Sequence, residues 1–152
     1  MIIVILSACV LTGLTMGVHA TGIALLLRNL TRVHGRRPTG VWLTTRMLLR
    51  MLWWLILIHV VEISMWGLFY RWHGFLPDVE TAFYFSGVTY TTIGYGDVVL
   101  TKPWRLLAPI EGLLGILMCS LSTGFFFVVV SRIYQSQPGE TTTVSSTGGG
   151  QP

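Results

Sequence analysis

Charge is what this sequence has least of: 11% of its 152 residues are charged against 52% hydrophobic, and none of residues 1 to 27 carries a charge. A soluble domain of this length needs a charged surface, so the deficit excludes that class and leaves an integral membrane protein. Acidic residues are scarcer still, six against ten Lys and Arg. In a membrane chain such an excess reports topology, so nucleic acid is not an expected partner. Cysteine is limited to Cys9 and Cys119, each inside an apolar run. Both read as small buried hydrophobes rather than a disulfide or metal pair. No βαβ pattern surrounds the glycines, which argues against a nucleotide-binding loop.

What remains is three long apolar runs. Residues 1–27 are enough to cross a ~30 Å hydrocarbon core at 1.5 Å per helical residue. A second run reaches Tyr70 from about Val41 or Met51, interrupted by His59 and Glu62, and a third covers about 104–134, interrupted by Glu111. Val18-His19-Ala20 resembles a signal-peptidase site, but no basic segment precedes it, so the first helix is expected to be retained. Arg28, Arg32, Arg36, Arg37, Arg46 and Arg50 surround the first connection. That places residues 28–50 in the cytoplasm, the N-terminus outside and the C-terminus inside, in a plasma (inner) membrane. Arg28, Arg32 and Arg36 recur every fourth residue in a polar stretch, which fits topology better than voltage sensing. Trp53 and Trp54 fall near one end of the second run, and Trp66, Tyr70 and Trp72 near the other. The low-complexity tail 135–152 reads as disordered and cytoplasmic.

About 33 residues separate the second and third runs, too few and too polar for two more crossings. Asp78 after Pro77 is an N-cap, Glu80 sits in the first turn, and the apolar run that follows predicts a half-length helix over 78–91. Such a helix would enter the membrane and turn back at "TTIGYGD", residues 91–97. Irregular backbone at that depth is tolerated only when buried in protein or lining a watery cavity. Gly94 and Gly96 suit a strand whose backbone alternates between ordinary and left-handed conformations, aiming successive carbonyls the same way. Thr92 can add its hydroxyl, Tyr95 can brace the strand against the short helix, and that helix directs its partially negative end toward an ion path.

In this setting "TTIGYGD" resembles the selectivity filter of the potassium-channel family, Thr92, Ile93, Gly94, Tyr95, Gly96 and Asp97 matching position by position. The resemblance covers about residues 41–134. It implies an all-α membrane protein with three transmembrane helices plus a re-entrant pore helix and filter loop. The divisions would be an N-terminal helix 1–27 and a pore domain 51–134, with pore helix 78–91, filter 92–96 and inner helix 104–134. It implies a homotetramer in the lipid bilayer, since one chain supplies one filter strand. K⁺ would be the permeant ion, held at Thr92, Ile93, Gly94 and Tyr95, with no cofactor and no enzymatic activity. Two positions depart from the family pattern. Val88 stands where some prokaryotic relatives have a glutamate that reaches the filter aspartate, and the tryptophan that often bonds this aspartate is replaced near Phe85, with Tyr84 as a substitute partner of Asp97. Gly115, then Gly112, is the candidate for a family-type gating hinge, with close packing as the alternative. A non-conducting subunit that keeps the pore scaffold for assembly is the second functional reading.

Three polar residues interrupt the apolar runs without an assigned role. His59 and Glu62 share a helix face, with His19 at a comparable depth. They could form a metal or proton site, but interhelical hydrogen bonds that tie the first helix to the pore unit are the expectation. No nucleophile or metal triad supports a membrane enzyme. Glu62 and Glu111 should face protein, bonded to the back of the pore helix or to each other, with Glu111 bracing the filter.

Overall fold

The computed structural model describes residues 1–33 and 40–135. Arg36 and Arg37, the Arg32 side chain and residues 136–152 of the tail lie outside the described residues. Helix α1 (Ile2–Val33) and helix α2 (Val41–Trp72) are each 32 residues long; α3 (Val79–Tyr90) has 12; a 3-10 turn (Trp104–Leu106) leads into α4 (Leu107–Gln135). Three of these are long and apolar enough to cross a membrane. The chain is an all-α integral membrane protein.

Helices α1 and α2 approach each other more closely along the chain than hydropathy suggests, α1 continuing past residue 27 and α2 starting at Val41. The hydrophobic pattern marks where a span leaves lipid, whereas Leu, Arg and Met continue a helix into water at little cost. Gly40, at φ 126°, starts α2 in a conformation only glycine adopts easily.

Two apolar clusters fix the packing. Val4, Ala8 and Leu11 of α1 meet Trp66 and Tyr70 of α2 and Leu107 and Leu114 of α4, together with Ala82 and Phe85 of α3. At the other end Leu26 meets Met51, Leu55 and Ile58, with Phe125, Phe126 and Val129 alongside. Thus α2 runs antiparallel to both α1 and α4. Between the clusters lies a polar layer: Thr15, His19, Glu62 and Ser122 are all buried. No polar side-chain atom buried among the described residues lacks a partner.

Trp66 and Tyr70 turn inward instead of standing at the membrane boundary. The Trp66 indole donates to Thr15 Oγ1 at 3.0 Å, and both side chains are fully buried. Trp53 and Trp72 do remain exposed. Cys9 and Cys119 are exposed on the surface of the chain, not buried; an apolar run in a membrane helix has a lipid-facing side, which sequence alone does not separate from the packed one. Trp54 reaches across from α2 and donates Nε1–H to the Gly22 carbonyl of α1 at 2.9 Å. Trp54→Phe keeps the ring but loses this bond, and should lower stability by about 1 kcal/mol, read as a reduced Tm in detergent.

Candidate functional site

Helix α3 is about 18 Å long at 1.5 Å per residue, half a bilayer. Asp78 caps it, accepting from Thr81 N at 2.8 Å and from the Thr81 hydroxyl at 2.8 Å. The Thr81 backbone bond holds the Asp78 carboxyl below the usual carboxylate range. Ala82, Phe85, Ser86 and Tyr90 recur at helical spacing and form the buried face, set against α2 and α4.

The chain turns sharply out of α3. Thr92 N donates to the Thr89 carbonyl at 2.9 Å, and Ile93 N and Gly94 N both donate to the Val88 carbonyl, at 3.0 and 3.2 Å. Val88 therefore supports the strand through its backbone, a role its side chain does not reveal. Positive φ then alternates along the strand: 61° at Thr92, 56° at Gly94 and 77° at Gly96, with Ile93 and Tyr95 in the ordinary region. The glycines make this conformation inexpensive; Thr92 does not. A β-branched residue in the left-handed region is strained, and such strain persists only where surrounding structure imposes it. Residue type alone predicts this backbone only at the glycines.

Past the strand, the Tyr84 hydroxyl donates to Asp97 Oδ2 at 2.7 Å, and Asp97 Oδ1 accepts from Val98 N at 3.0 Å. Tyr84 thus ties α3 to the far end of the strand. Tyr95 does not brace its own α3: its side chain is 70% exposed, and Thr92 through Asp97 all lie on the surface of the single chain. A groove of about 540 Å³ beside the strand is lined by Tyr84, Val88, Thr92, Gly94, Gly112 and Leu113 among others.

Residues 56–132, half of the chain, match the sequence model of the ion channel family, of the potassium-channel pore type. The chain belongs to this family. No curated protein and no solved structure matches the channel.

Two glutamates hold the back of α3. In the channel Glu111, on α4, accepts from the Tyr70 hydroxyl at 2.6 Å and from Ser86 Oγ of α3; Ser86 also reaches the Ile63 carbonyl at 2.8 Å. Glu62, on α2, accepts from the Tyr90 hydroxyl of α3 and contacts His19 Nδ1 of α1 at 2.9 Å. The two acids thus hold separate points of α3 rather than each other. Gly112 and Gly115 of α4 face the end of α3. A Cβ on Gly115 would overlap the Tyr90 carbonyl, and one on Gly112 would sit 3.3 Å from the Thr89 carbonyl. Close approach accounts for Gly115 without a hinge.

Two expected outcomes follow from this packing. Glu111→Leu leaves the Tyr70 hydroxyl without its acceptor, at about 1–3 kcal/mol for that unsatisfied group, and leaves Ser86 only the Ile63 carbonyl, so the tie from α4 to α3 is lost, whereas Glu111→Gln keeps hydrogen-bonding atoms in place. Thermal unfolding should rank wild type and Gln well above Leu; equal melting of Leu and wild type would remove the bracing role. Gly115→Ala should destabilise by about 1–3 kcal/mol through overpacking, read by the same melts.

Proposed function

We propose that the channel is potassium-selective and conducts passively as a homotetramer, with K⁺ held by carbonyls of Thr92, Ile93, Gly94 and Tyr95. The observation that carries this reading is the alternation of left-handed backbone at Thr92, Gly94 and Gly96 at the end of a half-length helix. Alternate left- and right-handed residues turn successive carbonyls to one side of the strand, where oxygens can replace the water lost by an entering ion. Tyr84 and Val88 hold the two ends of that strand to α3, while Glu111 supports α3 from behind.

The tetramer is supported by what one chain lacks. A strand exposed from Thr92 to Asp97 at membrane depth has no wall of its own, and irregular backbone there requires protein or a watery cavity around it. Three further copies supply both, the groove beside the strand receiving a neighbour. With the basic Arg46 and Arg50 end in the cytoplasm, the filter opens to the outside of a plasma membrane. Conduction down a gradient needs no enzymatic step and no cofactor beyond the permeant ion.

Purified protein in liposomes should pass K⁺ and Rb⁺ well above Na⁺ and be blocked by Ba²⁺, close to K⁺ in size but doubly charged. Equal K⁺ and Na⁺ flux sinks the reading, and no flux from an intact tetramer leaves the non-conducting scaffold in its place. Gly94→Ala or Gly96→Ala should abolish selective flux, because a Cβ penalises left-handed backbone by roughly 1–2 kcal/mol in each of four strands.

A further inference from the structure

Where the two apolar clusters part, five side chains from all four helices close a ring. Glu62 contacts His19 Nδ1 at 2.9 Å, and His19 Nε2 reaches Ser122 Oγ at 3.4 Å. Ser122 Oγ meets His59 Nε2 at 3.1 Å, His59 Nδ1 meets the Tyr90 hydroxyl at 2.9 Å, and Tyr90 donates to Glu62 Oε2. Each of these five contacts needs one proton. With neutral imidazoles and an ionised Glu62 only four are present, one on each histidine, one on Ser122 and one on Tyr90. In that protonation state the ring would be one proton short and would carry a net negative charge, in a layer where His19 and Glu62 are 2% and 0% exposed.

We propose that His19, His59 and Glu62 form a binding site for a divalent transition cation of the Zn²⁺ type. Their ligand atoms all lie within 4.8 Å of one another; Glu62 Oε1 is 2.9 Å from His19 Nδ1, and its other oxygen, Oε2, is 3.4 Å from His59 Nδ1. Tetrahedral ligands at 2.0–2.1 Å from an ion stand about 3.3 Å apart, so modest side-chain shifts seat it. Two imidazoles and a carboxylate are a borderline donor set that suits Zn²⁺, and suits K⁺, Mg²⁺ or Ca²⁺ poorly.

The outer contacts favour a metal over a further proton. A metal-bound histidine donates its second ring N–H to a neighbouring acceptor. Here both second nitrogens converge on one hydroxyl: with the ion on the Nδ1 atoms, each Nε2–H donates to Ser122 Oγ, which has two lone pairs. Tyr90 still donates to Glu62 Oε2, Glu62 Oε1 turns to the ion, and Ser122's own proton is free for a carbonyl of its helix. The shortage disappears and the buried negative charge is offset. His59, 18% exposed, leaves the open side for a fourth ligand such as water. A bound ion would join α1 to α2 and, through Tyr90, to the end of α3 two residues before Thr92.

The test uses full-length protein with Cys9→Ser and Cys119→Ser, so that the exposed cysteines cannot contribute. Stripped of metal and titrated with Co²⁺ as a spectroscopic stand-in, it should take up one ion per chain, with the visible absorption of a four-coordinate N/O site that Zn²⁺ displaces. His59→Ala should weaken uptake at least 100-fold, and Ser122→Ala, outside the ligand set, about 10- to 100-fold. Zn²⁺ should raise the Tm of the parent protein and not that of His59→Ala. Less than a tenth of an ion per chain at saturating Co²⁺ overturns the proposal. So does uptake by folded His59→Ala or Ser122→Ala equal to that of the parent. Because the parent titration needs no variant, a histidine variant that fails to fold leaves the outcome decisive, and K⁺ flux plays no part in it.

Discussion

A bilayer core offers no water to a buried polar group, and the placement of two carboxylates under that constraint organises this channel. Glu62 and Glu111 interrupt otherwise uncharged stretches of α2 and α4, and each is fully buried. Their hydrogen-bond partners are Tyr70 and Ser86 for Glu111, and Tyr90 and His19 for Glu62. Leaving such a group unpaired costs more than most apolar contacts return, so the partners cannot drift independently. The two acids therefore set the height of α3 between α2 and α4. Gly115 lets the end of α3 come close enough for that geometry to close.

Everything the candidate filter does depends on that height. The strand leaves α3 through bonds to the Thr89 and Val88 carbonyls, so a shift of the helix carries the strand with it. At the other end the Tyr84–Asp97 bond returns the chain to α3. Between the anchors the backbone holds a left-handed threonine, which would relax if either anchor were lost. The strain at Thr92 marks how strongly the surroundings dictate the strand.

Helix α1, outside the residues matched to the ion channel family, is joined to the rest by specific polar contacts as well as apolar ones. Trp54 bonds the Gly22 carbonyl, Trp66 bonds Thr15, and His19 meets both Glu62 and Ser122. In a membrane, where apolar surface alone gives little drive for helix association, such contacts and close packing do the positioning. A chemical change in the His19, His59 and Glu62 layer would reach α3 through Tyr90.

Much of this is legible in local sequence pattern. Three apolar runs of sufficient length, the Asp78 cap and a half-length helix follow from hydropathy and capping chemistry, which act over a few residues. The glycine spacing in "TTIGYGD" likewise announces backbone geometry, because left-handed φ is a property of the residue itself. Three-dimensional neighbours decided the rest. Whether Cys9 faces lipid, whether Trp66 stands at a membrane boundary or inside, and whether Gly115 bends or packs are questions about which side of a helix meets another, and an all-apolar helix carries almost no periodicity to answer them. Left-handed Thr92 arises from hydrogen bonds to Val88 and Thr89, against the preference of its own side chain. The convergence of His19, His59, Glu62, Tyr90 and Ser122 needs four helices in register. Sequence determined the number of spans, the Asp78 cap and the filter glycines, because those are written in neighbouring residues; tertiary structure decided which polar atoms meet, because burial makes each of them find a partner wherever the packing puts one.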